Sequence, residues 1–143
     1  MLDIDHFKAL NDNHGHLGGD QMLANVAGVL RRCIRSVDQV ARYGGEEFAI
    51  VLVEATLEGA LDTAQRIRTS VAASEIVFND RRVSATVSVG VTRCRDTDTG
   101  PEDVIARADA ALYEAKRAGR NRVHCADEAA SPAGAMPPAD RPA

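Results

Sequence analysis

Two β-rich runs, Asp38 to Tyr43 and Ala49 to Val53, are separated only by Gly44-Gly45-Glu46-Glu47-Phe48. A break that short and that rich in glycine leaves the chain one option, to fold back on itself as a hairpin. The glycines are expected to supply positive φ at the tip and to keep side chains clear of whatever approaches the backbone there. Glu46 and Glu47 then stand at the exit of the turn, where they repel each other at neutral pH unless a cation lies between them. Taken alone, the tetrapeptide reads equally well as a solvated hairpin with ordinary surface acids.

A second acidic element opens the chain, Asp3-Ile4-Asp5 followed by His6-Phe7-Lys8 and Asn11-Asp12. Met1, Leu2 and Ile4 read as the tail of a buried strand, which puts Asp3 and Asp5 at its C-terminal end, where ligands gather in α/β sheets. Hard oxygen ligands from two strand ends suit Mg²⁺, with Mn²⁺ as the alternative ion, because Mg²⁺ takes one or two carboxylates together with substrate phosphates. The plain alternative is that the two aspartates end a strand and cap the next helix.

Between these acids the apolar periodicity sets the elements. Phe7 to Asn13 reads as a short helix ended by a loop from His14 to Gly19. Met22, Leu23, Val26, Val29, Leu30 and Ile34 then recur at helical spacing from Asp20 to about Arg35. Ala49 to Val53 is continuously apolar and is expected to be buried on both faces. A second amphipathic helix carries Leu57, Leu61, Ala64, Ile67 and Val71. Val83, Ala85, Val87, Val89 and Val91 alternate with polar residues and glycine as one period-2 strand. Val104, Ile105, Ala108, Ala111, Leu112 and Ala115 form a third helix, stopped by Gly119. Helices against a mostly antiparallel sheet make an α+β sandwich.

At 143 residues, 45% of them hydrophobic, the chain supports one packed core, residues 1–125, followed by a disordered Ala/Pro-rich tail, 126–143. With only 3% aromatic residues that core must be aliphatic. The net charge of −4 argues against a general nucleic-acid binder. Cys33, Cys94 and Cys125 lack metal-ligand spacing and fit reduced thiols, with Cys33 in the core. No signal peptide or bilayer-length apolar run is present, so a cytoplasmic location is expected and no membrane segment.

In one order, Asp3-Ile4-Asp5-His6-Phe7-Lys8, Asn11-Asp12, His14-Gly15-His16, Gly19-Asp20, Arg42-Tyr43-Gly44-Gly45-Glu46-Glu47-Phe48, Ser88-Val89-Gly90-Val91, Ala108-Asp109 to Tyr113, Ala115-Lys116 and Gly119-Arg120-Asn121 cover most of the chain. This series resembles the GGDEF-domain diguanylate cyclases, which condense two GTP into cyclic di-GMP. The resemblance implies a ferredoxin-like βααββαβ core similar to the nucleotidyl cyclases. It implies Mg²⁺ ligation by Asp3, Glu46 and the Ile4 carbonyl, with Glu47 tuning or sharing the site and Glu46 and Glu47 as the catalytic acids. Phe7 and Lys8 would meet the phosphates at a helix start. Lys116 and Arg120, four apart, would share a helix face and clamp the triphosphate. Asn11 and Asp20 would read guanine, Asp20 accepting from N1–H and N2–H₂; Asp20 also reads as an N-cap.

The same resemblance assigns Arg35-Ser36-Val37-Asp38 to an inhibitory site for the product, with Arg66 as an auxiliary arginine. Its planar fork suits arginine to phosphate, and its face to guanine. Family members carry an upstream helical segment and the first half of the opening strand, so the chain is expected to be an N-terminally truncated catalytic domain with a short first strand. Catalysis requires a homodimer, because two GTP-loaded domains must face each other. The competing reading is a non-catalytic cyclic di-GMP receptor or an inactive fragment.

Overall fold

A computed structural model describes residues 1–127. The elements run β1 (Leu2–Ile4), α1 (Phe7–Cys33), β2 (Gln39–Arg42), β3 (Glu47–Val51), α2 (Leu57–Ala72), β4 (Glu75–Phe78), β5 (Arg81–Ser84), β6 (Val87–Val91), α3 (Pro101–Arg117) and β7 (Val123–Cys125). One five-stranded sheet has the order β2-β3-β1-β6-β7, and β4 and β5 form a separate hairpin. All pairings are antiparallel except β6 with β7. The expected α+β sandwich is therefore observed, with the hairpin β4–β5 inserted before β6.

Leu2, Ile4, Met22, Leu30, Ile67 and Leu112 are the largest fully buried side chains, so the core is aliphatic, as the composition requires. Two of these come from β1, which is three residues long yet central, flanked by five-residue β3 and β6. Cys33 and Cys125 are buried free thiols and Cys94 is exposed. Among the described residues no helix is long and apolar enough to cross a membrane.

The loop expected from His14 to Gly19 is not there. Only Gly15 leaves helical geometry, with φ 72 and ψ 171, and α1 resumes at once beyond this kink. One glycine in a region open mainly to glycine makes the break in a single residue. Gly18 and Gly19 stay helical and serve packing. A Cβ on Gly18 would lie 2.7 Å from the His14 side chain and 3.4 Å from the Phe78 ring, and one on Gly19 would lie 3.1 Å from the Phe7 ring. In consequence Asp20 sits inside α1 and is not its N-cap.

The single strand expected from Val83 to Val91 is two. β5 pairs with β4, β6 with β1 and β7, and the chain changes sheets at Ala85-Thr86. Alternation reports which face is apolar, not which neighbour pairs. Nor is β3 buried on both faces: Phe48 is buried, Ala49 and Ile50 are half-buried and Val51 is exposed, since only β2 lies beyond it in the sheet. Of the tail expected to be disordered, Ala126 and Asp127 are bonded into the fold. The Ala126 N–H donates to the Val91 carbonyl, and Asp127 accepts from Thr92, Arg93 and Arg95. The remainder, 128–143, lies outside the described residues.

Candidate active site

The β2–β3 turn is closed by the Tyr43 and Gly44 N–H groups, which donate to the Glu47 carbonyl at 2.8 and 3.3 Å. Neither Gly44 nor Gly45 is left-handed; the described glycines with positive φ are Gly15 and Gly119. The expectation of positive φ at the tip is thus replaced by one of space. A Cβ on Gly44 would stand 2.6 Å from Glu47 Oε2, while Gly45 faces open space. Arg42 fixes the tip, its guanidinium donating to the carbonyls of Gly44 at 3.2 Å and Gly45 at 2.7 Å.

Sheet register brings the acids together. Asp3 lies opposite Glu47, and the Ile4 N–H donates to the Glu46 carbonyl at 3.2 Å. Asp3 is 7% exposed, and its Oδ2 accepts a charged hydrogen bond from Lys116 Nζ at 2.9 Å. Burial pushes the Asp3 carboxyl above its ordinary range, Lys116 pulls it back, and Glu46 and Glu47 push it up again. A buried carboxylate facing two others is short of positive charge. No three His, Cys, Asp or Glu side chains among the described residues close into a complete cage. Two carboxylates and a backbone oxygen that leave room for phosphates are nevertheless the donor set Mg²⁺ favours over an all-protein cage.

Beside these acids lies a cleft of about 310 Å³ lined by residues of α1 and the hairpin. Phe7, Lys8, Asn11, Asp20 and Glu46 all border it, five of the expected site residues. No side chain caps the first turn of α1, so its N–H groups remain open to an anion. Asn11 Oδ1 is buried without a hydrogen-bond partner and packs against Gly19, where a Cβ would run into it. Asp3, Ile4, Glu47, Lys116 and Arg120 are not among the residues lining the cleft, although Lys116 reaches the site through Asp3.

One expected juxtaposition fails. Lys116 and Arg120 do not share a helix face, because α3 ends at Arg117. The Gly119 N–H bonds the Lys116 carbonyl at 3.3 Å and the Arg120 N–H bonds the Ala115 carbonyl at 3.1 Å, the paired closure of a Schellman stop. Gly119 takes φ 116, as expected of a C′ glycine, and Arg120 follows in the left-handed region at φ 63.

Arg35 and Asp38 form a second, separate constellation. Asp38 accepts from the Arg35 guanidinium at 2.9 Å, from the Arg35 N–H at 2.8 Å and from the Val53 N–H at 3.0 Å. These bonds, the Arg35 side chain first among them, hold its carboxyl down to about 2. The Arg35 side chain remains 58% exposed. Arg66 donates to the Cys33 carbonyl at 2.7 Å, so both arginines flank the C-terminal end of α1. Sequence reasoning gave no site role to Arg42, His16 and Leu23, which line the cleft, and left buried Asp5 between a ligand at the strand end and a helix cap. Asp5, His16 and Arg42 stand inside the quoted motifs and Leu23 reads only as a helix core position; the fold brings His16 and Leu23 to the cleft.

The family described as "Diguanylate cyclase, GGDEF domain" matches residues 1–122. The chain is 42% identical over 123 residues to diguanylate cyclase A of Treponema denticola, covering 86% of this chain and 33% of that protein. It is 46% identical over 126 residues to the diguanylate cyclase DgcP of Pseudomonas aeruginosa, covering 88% and 19%. The chain therefore spans a third or less of the length of these relatives. Among solved structures it is similar to the GGDEF domain of DgcB from Caulobacter crescentus in complex with c-di-GMP, with a TM-score of 0.83, 40% identity, and 87% and 74% of the two chains covered.

Proposed function

Because this chain belongs to the GGDEF family of diguanylate cyclase domains, we propose that it condenses two molecules of GTP into cyclic di-GMP, in the cytoplasm and as a homodimer. Each 3′-oxygen attacks the α-phosphorus of the other GTP, a P–O bond forms to it, and the bond to the departing diphosphate breaks. Two facing sites are needed because each nucleotide is both nucleophile donor and electrophile. The observation that carries this reading is the cleft that gathers Phe7, Lys8, Asn11, Asp20 and Glu46 beside the buried carboxylate of Asp3.

Asn11 and Asp20, which both border the cleft, receive the guanine edge. Adenine offers no matching pair of donors, and leaving such acceptors unpaired costs roughly 1–3 kcal/mol each. The open first turn of α1 and Lys8 meet the phosphates, and Lys116 and Arg120 hold the triphosphate from the other side. Asp3, Glu46 and the Ile4 carbonyl are the ligands for Mg²⁺ or Mn²⁺, which when bound neutralises the triphosphate and acidifies the attacking hydroxyl. Glu47, opposite Asp3, adds negative charge that strengthens this pull on a cation.

The test is incubation of the chain with GTP and Mg²⁺ at low and high protein concentration, with the product identified by mass. Cyclic di-GMP is expected to form, to rise more steeply than protein concentration, and to vanish in Glu46→Ala. A folded chain that binds cyclic di-GMP and makes none is a receptor or an inactive fragment.

Product inhibition at Arg35, Asp38 and Arg66 belongs to the same reading. Arg35→Ala leaves Asp38 its two backbone N–H donors, so the fold survives while the exposed guanidinium is lost. Binding of cyclic di-GMP, followed by calorimetry, is expected to weaken by about tenfold or more, the worth of one charge-assisted contact. Turnover should then no longer slow as product accumulates. Unchanged affinity rejects the assignment.

A further inference from the structure

Of the two aspartates that end β1 and its following turn, Asp3 joins the carboxylates of the site and Asp5 directs both oxygens elsewhere. Asp5 is 6% exposed. Its Oδ1 accepts from Ser88 Oγ at 2.7 Å; its Oδ2 accepts from Thr86 Oγ1 at 2.7 Å and from the Asn121 N–H at 3.0 Å. No described basic side chain forms an ion pair with it. A buried carboxylate served only by neutral donors is costly, so its position calls for a specific use.

Its third donor supplies that use. Gly119, Arg120 and Asn121 form a run of positive φ, at 116, 63 and 45. Two of these are not glycine, and a left-handed non-glycine residue persists only where its surroundings hold it there. The Schellman bond from the Arg120 N–H to Ala115 holds the run from the α3 side, and the bond from the Asn121 N–H to Asp5 holds it from the sheet side. Arg68 adds a bond to the Asn121 side chain at 3.2 Å from an exposed position. Arg120 is thus pinned at its own N–H and at the next one. Two residues away along the same strand end, Asp3 grips Lys116 at 2.9 Å.

We propose that Asp5 is a positioning residue for the phosphate clamp: by holding the strained Gly119–Asn121 turn against the end of β1, it sets where Arg120 stands relative to Lys116 and Asp3. This rests on the nucleotide reading above. Asparagine can keep its oxygen toward Thr86 and Asn121 and turn its N–H₂ to the Ser88 hydroxyl, which rotates to accept, whereas alanine removes all three bonds.

The test measures binding of 3′-deoxy-GTP with Mg²⁺, which the chain cannot condense, and of guanosine, which has no phosphate. Asp5→Ala, which removes the bond to Asn121, is expected to weaken 3′-deoxy-GTP by about tenfold, the range of lost outer-layer support at a charged site, and to leave guanosine within about twofold. In an Arg120→Ala background the same change should add no further loss. Equal weakening of both ligands, or none, overturns the proposal and leaves Asp5 a purely structural acid. A wild-type chain that binds neither ligand overturns the nucleotide reading, and this proposal with it. If Asp5→Ala does not fold, Thr86→Val removes one donor from the same oxygen and is read in the same way, with a drop of about threefold expected.

Discussion

Asp3→Asn should raise the melting temperature of the nucleotide-free protein at neutral pH while reducing cyclic di-GMP synthesis by about 10³-fold, the scale of a lost electrostatic group in a catalytic site. The two effects have one cause. Burial raises the pKa of Asp3 above its ordinary 3.8, Lys116 only partly offsets this, and Glu46 and Glu47 add to the rise. The sign follows from linkage: a group whose folded pKa is raised favours the fold below its unfolded pKa and loses that contribution as pH climbs through the folded value. At pH 7 the ionised Asp3 therefore weighs against the empty fold, and a neutral amide of the same shape removes the burden. Lys116, whose side chain is 30% exposed, can turn its ammonium to water when its partner is gone. The gain should be on the order of 3 °C at pH 7 and should disappear near pH 3.5, where wild-type Asp3 is itself protonated. Thermal melts of both proteins across pH 3.5–8 check this. A variant that melts below wild type at pH 7 shows that the Lys116 pair outweighs the burial, and sinks the claim that this site is short of positive charge.

The second large effect is on stability, at Gly90. This glycine lies in β6 directly against the α3 backbone at Ala108 and Leu112. A Cβ there would run into the Ala108 carbonyl and the Leu112 N–H, with Leu112 Cα at 2.9 Å. These are backbone atoms, so no rotamer change relieves the clash; α3 must move bodily. Gly90→Ala is expected to cost about 3 kcal/mol and to lower the melting temperature by roughly 10 °C. Because α3 also carries Lys116 at its last turn, the molecules that remain folded should bind GTP more weakly. Gly45→Ala is the contrast: its Cβ meets nothing within 4 Å and its φ is ordinary, so stability should change by less than about 0.5 kcal/mol. Equal melting temperatures for the two variants would show that α3 is not seated on β6 as described.

The family motifs were legible in the sequence, whereas the reasons for individual residues often were not. Gly44-Gly45 marked the turn correctly, but a sequence cannot distinguish a glycine required by φ from one required by a neighbour. Here the neighbour is Glu47, and positive φ belongs to Gly15 and Gly119 instead. Likewise the interval Lys116 to Arg120 fits one helix face only while the helix lasts. The Schellman stop at Gly119 ends it first, although that glycine was read as a stop.

Local chemistry alone determined a good deal: an aliphatic core, three amphipathic helical regions, a glycine-acid hairpin, an acidic first strand end, and a family whose residues fall in order along the chain. These depend on spacing and side-chain type, which the sequence carries in full. Tertiary structure decided what depends on contacts between distant segments. It split the alternating run 83–91 between two sheets, because partner choice rests on strands far away in sequence. It bent α1 at one glycine, so that Phe7, Asn11 and Asp20 line one cleft. It also gave neighbouring aspartates different partners, Lys116 for Asp3 and Thr86, Ser88 and Asn121 for Asp5, bonds spanning 81 to 116 residues in the case of Asp5. A side chain's charge is written in its own residue; the field and the donors it meets are set by where the rest of the chain comes to lie.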